Sequence, residues 1–353
     1  MNKRVVLFLS AELQGYNIPV FRELVQNFNC VVHVIHWDSR KLTPYVPDLV
    51  EDVFYYNRSE FKNRYNLQSF VFGLKAELVY ICGWMDMGYL FCARKLRSQG
   101  IPVVSGFDDI YNGSYRQVIA SLLFPLIRNK LFSHAWVAGH YQYEFAKRLG
   151  FRNELIIYNL LSADVESYHS SFKSFEKSKK SRYPHNFFYV GRFSEEKGIG
   201  LLLTAWSKLG DDKKDWKLKL IGNGMLKDSI SVSDDLELLD YIQPMELPNL
   251  TKEMGCIIVP SITEPWSVTL HEFAAAGMPM IVSDVCGAVP FFVIDGFNSF
   301  IFNHSGIFSL EEALLKIINL SDAELFEMSR NSNSLGHRIT PQMSASSFIS
   351  LIR

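Results

Sequence analysis

The sequence predicts an α/β protein of two domains, each built on a parallel sheet with helices on both faces. Short apolar segments of strand length alternate with longer helical patterns, an order typical of parallel sheets. A length of 353 residues exceeds what one hydrophobic core usually serves and suits two domains of about 150 to 180 residues. A Ser/Lys-rich stretch with few apolar residues, Ser167 to Arg182, separates two such runs of alternation.

The first run defines an N-terminal domain over residues 1–165. Apolar segments bounded by turn residues predict its strands, and amphipathic patterns predict its helices. The strands are expected at 5–9, 31–36, 78–82, 103–105, 135–138 and 155–158. The helices are expected at 19–28, 59–72, 87–99, 116–132 and 141–149.

A linker over residues 166–184 precedes the second run, which defines a C-terminal domain over residues 185–335. Its strands are expected at 186–190, 216–221, 238–241, 256–260 and 280–282. Its helices are expected at 198–209, 247–255, 267–277 and 310–320. Two more helical patterns follow in the last 30 residues, and residues 336–353 are expected to form a separate C-terminal helix.

Composition and charge exclude several classes of protein. With 48% hydrophobic residues and a formal net charge of −1, the chain is typical of a soluble enzyme and not of a nucleic-acid-binding protein, which is normally strongly basic. No apolar stretch reaches the ~18 residues that cross a bilayer, and no signal-peptide cleavage pattern follows Lys3 and Arg4. Five widely spread cysteines indicate reduced core residues of a cytoplasmic protein rather than disulfides or a zinc site.

Two carboxylates flank the start of a helix in the C-terminal domain. Glu264 follows a predicted strand, and Glu272 lies one to two turns into the next helix. Between them, the backbone N–H groups of Ser267, Val268 and Thr269 point out of the helix N-terminus, where free donors and the helix dipole attract phosphate. The arrangement suits a nucleotide sugar. Taken alone, the two glutamates also fit a Glu in a loop and a solvent-exposed Glu on a helix, without a role in binding.

Two cations follow the first predicted strand of the same domain. Gly191 permits a tight turn at the strand exit, and Arg192 and Lys197 come next. Arg can clamp phosphate oxygens through two hydrogen bonds, and Lys adds a charge that stabilises a leaving diphosphate. Alone, both also fit a surface charge cluster. Gly222 and Gly224 follow the next strand and would let a ligand approach the backbone, although this spacing is a weak signal.

These three motifs, followed by Gly277-x-Pro279, occur in one order within about 90 residues. The series resembles the C-terminal half of the family 4 glycosyltransferases, over roughly residues 187–302. The resemblance implies the GT-B fold, in which two Rossmann-like domains face each other across a cleft and the C-terminal helix crosses back to the first domain. Ligands are then expected in the cleft, at the C-terminal ends of the strands.

The resemblance also implies a role for each matched residue. Arg192 and Lys197 would bind the donor diphosphate, Glu264 would face the transferred sugar, and Glu272 would bind the ribose of the nucleotide. Amides at the helix start would bind the phosphates. Members of the family retain the anomeric configuration and hold no metal in the site, and this chain has no two Asp residues at i, i+2 with which to hold one.

The N-terminal half departs from the family pattern. Many members have a glycine pair in the first strand-to-helix loop, where this chain has only Gly15. Many also have a His after the fourth strand, where this chain has Asp108 and Asp109. Either Asp could orient the acceptor hydroxyl or take its proton, and either also fits a helix cap or turn. His140, in a stretch similar to enzymes of bacterial surface polysaccharide synthesis, fits acceptor binding, phosphate binding or a structural role.

One apolar segment bears on membrane contact. Residues 118–127 are almost entirely apolar, and the basic residues Arg128, Lys130, Lys147 and Arg148 come after them. An apolar helix with a basic margin can dock on an anionic bilayer and meet a lipid-linked acceptor. The same pattern fits a core helix of the first domain, so both interpretations stay open.

The sequence therefore predicts a retaining hexosyltransferase that needs no metal or other cofactor. Its donor would be a nucleoside-diphosphate sugar, and its acceptor a glycan or lipid-linked glycan of bacterial surface polysaccharide, such as lipopolysaccharide or capsule. It would act in the cytoplasm or at the inner face of the cytoplasmic membrane, without nucleic acid. A nucleotide-sugar epimerase of the same fold and a non-catalytic nucleotide-sugar-binding scaffold are the alternatives.

Overall fold

The computed structural model describes residues 3–38 and 45–352. The chain divides into two compact units, Met1–Ser162 with Pro341–Arg353, and Ala163–Thr340. Each unit is built on one parallel sheet. The predicted α/β class with two parallel-sheet domains is confirmed.

The first unit alternates strands and helices along the chain. Its strands are β1 (Arg4–Leu9), β2 (Cys30–His36), β3 (Val53–Asn57), β4 (Leu78–Cys82), β5 (Val103–Phe107), β6 (His134–Val137) and β7 (Ile156–Ile157). Its helices up to Ser162 are α1 (Asn17–Gln26), α2 (Arg64–Gly73), α3 (Met87–Ser98), α4 (Tyr115–Leu131) and α5 (His140–Arg148).

The second unit begins with a helix and then repeats the alternation. Its strands are β8 (Asn186–Val190), β9 (Lys217–Ile221), β10 (Leu236–Leu239), β11 (Cys256–Val259), β12 (Met280–Ser283) and β13 (Ser299–Phe302). Its helices are α6 (Val165–Ser181), α7 (Ile199–Lys208), α8 (Leu247–Leu250), α9 (Val268–Ala275), α10 (Val289–Phe292), α11 (Ile307–Ile318) and α12 (Asp322–Gly336). The chain then ends with α13 (Pro341–Ile349), which belongs to the first unit.

In both sheets, the first strands are added on one side of the unit's first strand and the later strands on its other side. The order is β3-β2-β1-β4-β5-β6-β7 in the first unit and β10-β9-β8-β11-β12-β13 in the second. This change of side leaves a crevice at the carboxyl ends of β1 and β4, and another at those of β8 and β11. Open parallel sheets bind their ligands at such points.

The strands that flank these crevices are buried because apolar residues continue through them without alternation. Every residue of β11 and β12 is buried, as expected for a sheet covered on both faces. The helix α13 completes the core of the first unit, where Phe348 stacks on Trp136 with ring centroids 5.0 Å apart. A C-terminal helix that returns to the first domain, as predicted, agrees with this packing.

The predicted linker at 166–184 is wrong, because most of this stretch forms α6. Val165, Tyr168 and Phe172 lie at i, i+3 and i+7 and are buried, so they form the apolar face of a helix. Lys179 is buried too, and its Nζ donates a hydrogen bond to a backbone carbonyl oxygen at 2.8 Å. Burial lowers the pKa of Lys179 to about 7. The many Ser and Lys residues hid an amphipathic pattern.

The helix α4 presents its apolar side chains outward. Leu122 and Leu126 are 70% and 75% exposed, whereas Phe124 and Arg128 point inward and are buried. This orientation overturns the interpretation of residues 118–127 as a core helix. In the described part of the chain, no helix combines the length and apolar content needed to cross a membrane.

Candidate functional site

The residues predicted to bind the donor come together in the second unit, on three loops at the carboxyl ends of adjacent strands. Arg192 and Lys197 follow β8, Gly222 and Gly224 follow β9, and Glu264 follows β11. Because β8 lies between β9 and β11 in the sheet, these loops are neighbours. The sheet order thus explains why residues far apart in sequence share one edge.

The loops after β8 and β9 are held against each other by their backbones. A Cβ atom added at Gly222, whose φ is +151°, would lie 1.9 Å from the carbonyl oxygen of Gly191. One added at Gly224 would lie 2.4 Å from the carbonyl oxygen of Phe193. The N–H group of Phe193 donates to the carbonyl oxygen of Asn223 at 3.0 Å. These glycines therefore shape the site by letting two loops touch.

Lys197 and Glu264 form the central ion pair of the site. The Nζ atom of Lys197 lies 2.5 Å from Oε2 of Glu264, whose side chain is 9% exposed. The hydroxyl group of Ser261 donates to the same carboxylate oxygen at 3.3 Å. A buried carboxylate needs such partners, because an unpaired charge away from water is costly. The pair fixes the position of the lysine cation.

The loop that carries Lys197 is fixed to the loop that carries Glu264. The carbonyl oxygen of Glu196 accepts hydrogen bonds from the N–H groups of Ile262 and Thr263, at 2.9 and 3.2 Å. Gly198 follows with φ +70°, and a Cβ atom there would lie 1.8 Å from the carbonyl oxygen of Pro260. No other residue type fits this contact, so Gly198 sets the distance between the two loops.

Arg192 lies at the surface of the same loop. Its side chain is half exposed, and its Nη2 atom lies 3.6 Å from Oε1 of Glu196. The hydroxyl group of Tyr189 donates to the backbone carbonyl oxygen of Arg192 at 2.5 Å. The backbone is therefore anchored while the guanidinium group remains accessible to an anion, since an exposed ion pair holds it only weakly.

The start of α9 forms the third side of the site. Ser267 is the N-cap residue, with φ +80°, and its Oγ accepts a hydrogen bond from the N–H group of Leu270 at 3.4 Å. The N–H groups of Ser267, Val268 and Thr269 come before the first intrahelical hydrogen bond. Free N–H groups at a helix N-terminus can bind an anion, which is the role that the sequence predicts for these three residues.

Glu272 lies in the second turn of α9 and is partly buried. Burial and, to a smaller extent, the nearby Asp164 carboxylate raise the pKa of Glu272 to about 7. A carboxyl group with this pKa gains or loses its proton near neutral pH, and a ligand that donates hydrogen bonds to it favours the ionised form. The preceding residue in the chain, His271, is structural instead. Both of its ring nitrogens bond to the backbone within the core, at 3.0 Å each.

A cavity of about 430 Å³ lies in the first unit, at the carboxyl ends of β1, β4 and β5. Its wall combines aromatic rings with hydrogen-bonding side chains, a composition typical of small-molecule sites. The polar lining residues include Ser10, Glu12, Gln14, Asn17, Asp108 and Asp109, and the aromatic ones include Tyr80, Trp84 and Phe107.

The sequence-predicted acceptor residues are only partly brought together there. Asp108 and Asp109 line the cavity, and the side chain of Gln142 donates to the backbone oxygen of Asp108 at 2.7 Å. Gly15 lies in the turn before α1, between the lining residues Gln14 and Tyr16. Its carbonyl oxygen accepts a hydrogen bond from the N–H group of Ile18 at 3.2 Å. His140, the exposed first residue of α5, is outside the described lining.

Several residues that build the sites were not singled out from the sequence. Gly198 and Gly287 permit close backbone contacts, and a Cβ atom at Gly287 would lie 1.9 Å from the carbonyl oxygen of Pro265. Ser261 supports Glu264, and Trp84 lines the cavity of the first unit. Gly198 could have been found, because a glycine just before a helix indicates a residue with positive φ.

Comparisons with known proteins agree with this architecture. Residues 170–333 match the family described as "Glycosyl transferases group 1". An uncharacterized glycosyltransferase of Methanocaldococcus jannaschii is 30% identical over 106 residues, which are 28% of this chain and 27% of that protein. An uncharacterized 41.2 kDa protein in the cps region of Klebsiella pneumoniae is 25% identical over 175 residues, 47% of this chain and 46% of that protein. The chain spans less than half the length of these curated relatives.

A solved structure extends the similarity to both units. HepE of Anabaena, in complex with UDP and glucose, has a TM-score of 0.73 at 14% identity, and the alignment covers 98% of each chain. At this identity the likeness establishes the fold. The second unit thus matches the glycosyl transferases group 1 family over most of its length, and the chain as a whole has the two-domain GT-B fold.

Proposed function

We propose that this protein is a retaining glycosyltransferase that moves a hexosyl group from a nucleoside-diphosphate sugar to a hydroxyl group of a glycan or lipid-linked acceptor. The observation that carries the proposal is the partly buried Lys197–Glu264 ion pair, which lies at the same strand ends as Arg192. The family match of the second unit supports it. The UDP and glucose bound to HepE support a nucleotide-sugar donor.

The proposed reaction depends on stabilising the negative charge that develops on the departing diphosphate. The bond between the anomeric carbon and the diphosphate oxygen breaks with its electron pair going to the diphosphate. The acceptor oxygen attacks the anomeric carbon from the same face and transfers its proton to the departing oxygen. Arg192, Lys197 and the amides at the start of α9 stabilise the diphosphate charge, so no metal is required for that task. Glu264 hydrogen-bonds to the hydroxyl groups of the sugar.

The cavity of the first unit would bind the acceptor. Its aromatic rings and hydrogen-bonding side chains suit a sugar, and Asp108 and Asp109 would orient the attacking hydroxyl group. We assign the pathway to bacterial surface polysaccharide synthesis in the cytoplasm. The position of the Klebsiella pneumoniae relative in the cps region supports that assignment.

One experiment separates the proposal from its alternatives. The protein is incubated in EDTA with radiolabelled nucleotide sugars, with and without an extract of bacterial lipid-linked glycans. Transfer of label to the extract supports the glycosyltransferase. Release of a free sugar or its isomer without extract identifies an epimerase. Binding with neither product identifies a scaffold.

Donor binding is expected to depend on pH through Glu272. Its raised pKa of about 7 means that the free protein holds the proton below that pH, whereas a ribose diol is bound best by the carboxylate. Affinity should therefore rise between pH 6 and pH 8, by up to about tenfold per pH unit below the pKa. Calorimetry with a nucleotide sugar tests this, because its diphosphate diester does not titrate in that window.

The control variant is Glu272→Gln, which keeps the shape of the side chain and removes the titration. Its affinity should be lower than that of the wild type at pH 8 and flat across the window. A wild-type affinity that does not change with pH, or an unchanged slope in the variant, contradicts the ribose assignment.

We also propose that α4 attaches the protein to the inner face of the cytoplasmic membrane. Seven large apolar side chains of this helix are exposed, and they are Tyr115, Val118, Ile119, Leu122, Leu123, Leu126 and Ile127. The polar Lys130 is exposed at the end of the helix. An apolar face of this size with a basic margin is typical of helices that lie in a membrane interface.

Replacing Leu122 and Leu126 with Asp is expected to reduce binding to phosphatidylglycerol vesicles by about tenfold or more, since each leucine would lose its burial in the interface. The fold should be unaffected, because both side chains are exposed. Vesicle flotation measures the effect. Met225→Asp is the matched control, since Met225 is 86% exposed in the second unit. Equal flotation of all variants contradicts docking through α4.

A further inference from the structure

The first unit has a second cavity, which lies at the other end of the strands from the proposed acceptor cavity. Its volume is about 690 Å³. Four of its lining residues come immediately before the strands β4, β5, β6 and β7, and these are Glu77, Pro102, Ser133 and Leu155. The cavity therefore opens at the amino ends of the strands, whereas the proposed acceptor cavity lies at their carboxyl ends. Neither the proposed donor site nor the proposed acceptor site uses it.

A buried cation lines this cavity. Arg128, near the end of α4, is only 6% exposed. Its Nε atom has no hydrogen-bond partner, and no carboxylate in the described part of the chain pairs with it. The guanidinium group lies 4.9 Å from the ring centre of Phe151. An aromatic face compensates a buried cation only in part, so the protein alone leaves this charge largely unsatisfied.

A second arginine faces the same space. Arg97, on α3, lines the cavity, and its Nη1 atom donates to the carbonyl oxygen of Ile101 at 3.2 Å. Its Nε atom is also buried without a partner. Burial lowers the pKa of Arg128, and the positive charges of Arg152 and Arg97 lower it further. Such a cluster costs stability unless an anion neutralises it.

We propose that this cavity binds a phosphate-bearing ligand, with Arg97 and Arg128 clamping the phosphate group. The fixed fork of a guanidinium group matches two oxygens of a phosphate, and two arginines line this cavity. Apolar lining from Phe132, Leu351 and Ile352 would contact the rest of the ligand. Among the described lining residues, the acidic one is Glu77, which is exposed. Because its carboxylate repels a phosphate group, the phosphate is expected on the side of the two arginines.

Calorimetry with inorganic phosphate at constant ionic strength tests the proposal. Phosphate could also enter the proposed donor site, so all variants carry Arg192→Ala. Arg97→Met and Arg128→Met should each weaken binding by about tenfold or more, as expected for a lost charge-assisted contact. Lys130→Met, which removes an exposed cation of the same helix, should leave binding unchanged. Ligand-free Arg128→Met should be at least as stable as its parent, because it loses an unpaired buried charge.

Vesicles distinguish the two sources of the phosphate group. Flotation with phosphatidic acid, compared with phosphatidylcholine, is measured for the same variants. If Arg97→Met and Arg128→Met weaken binding to phosphatidic acid, the ligand is a lipid headgroup. If they weaken only the binding of inorganic phosphate, the ligand is a soluble phosphate compound. The proposal is overturned if neither probe shows binding that these two variants weaken, whatever happens at the donor site.

Discussion

Replacing Lys197 with Met is expected to lower turnover by about a hundredfold to a thousandfold. The Nζ atom of Lys197 lies 2.5 Å from a buried oxygen of Glu264, so the cation is held in place before any ligand arrives. Losing one preorganised charge that stabilises a leaving group typically has an effect of this size. Steady-state transfer kinetics measure it, and the loss should appear mainly in kcat.

Stability must be separated from catalysis in this test. Lys197→Met leaves the Glu264 carboxylate buried without its cation, which is expected to destabilise the protein by about 3 kcal/mol. The double variant Lys197→Met/Glu264→Gln removes both charges and should recover most of that loss. Its turnover should remain as low as that of the single variant. Recovery of turnover together with stability would show that the pair is only structural.

Gly198→Ala is also expected to have a large effect on stability. The residue has φ +70°, and a Cβ atom there would lie 1.8 Å from the carbonyl oxygen of Pro260. The strained backbone and the collision together should cost about 3 kcal/mol of the free energy of unfolding. The loop with Lys197 would also move away from Glu264, so nucleotide-sugar binding should weaken. Chemical denaturation and calorimetry measure the two effects.

Gly200→Ala is the matched control. Gly200 is two residues further along, inside α7, and nothing lies within 4 Å of a Cβ atom added there. Since alanine favours a helix, this variant should be about 0.5 to 1 kcal/mol more stable than the wild type. Equal stability of both alanine variants would mean that the contact between the two loops does not hold the site together.

Much of the fold follows from local sequence patterns. The strands at 78–82 and 186–190 are apolar, bounded by turn residues, and buried on both faces, so their predicted bounds agree with the structure. The edge strands β3 and β13 escaped prediction although each contains a short apolar run, at 53–56 and 300–302, because a run of this length also fits a loop segment that packs on the core. The helix α6 escaped prediction because its Ser and Lys residues together outnumber its apolar residues, although Val165, Tyr168 and Phe172 are spaced on one face.

The candidate site was predictable where one short segment carries the chemistry. Glu264, Glu272 and the start of α9 stand within nine residues, and a strand followed by a helix places them reliably. Contacts between distant segments were not predictable. The pairing of Lys197 with Glu264 depends on the order of β8 and β11 in the sheet, and the outward orientation of α4 depends on what packs beneath it.

Calorimetric titration of UDP, GDP, ADP and their common sugar conjugates in EDTA tests the central claim most directly. We expect one nucleoside diphosphate and its sugar conjugate to bind without added metal. Arg192→Ala should weaken that binding by about tenfold or more, whereas Lys177→Ala, which removes an exposed cation of the same unit, should not. Binding that requires a divalent cation, binding that Arg192→Ala leaves unchanged, or no binding at all would contradict a metal-independent nucleotide-sugar site.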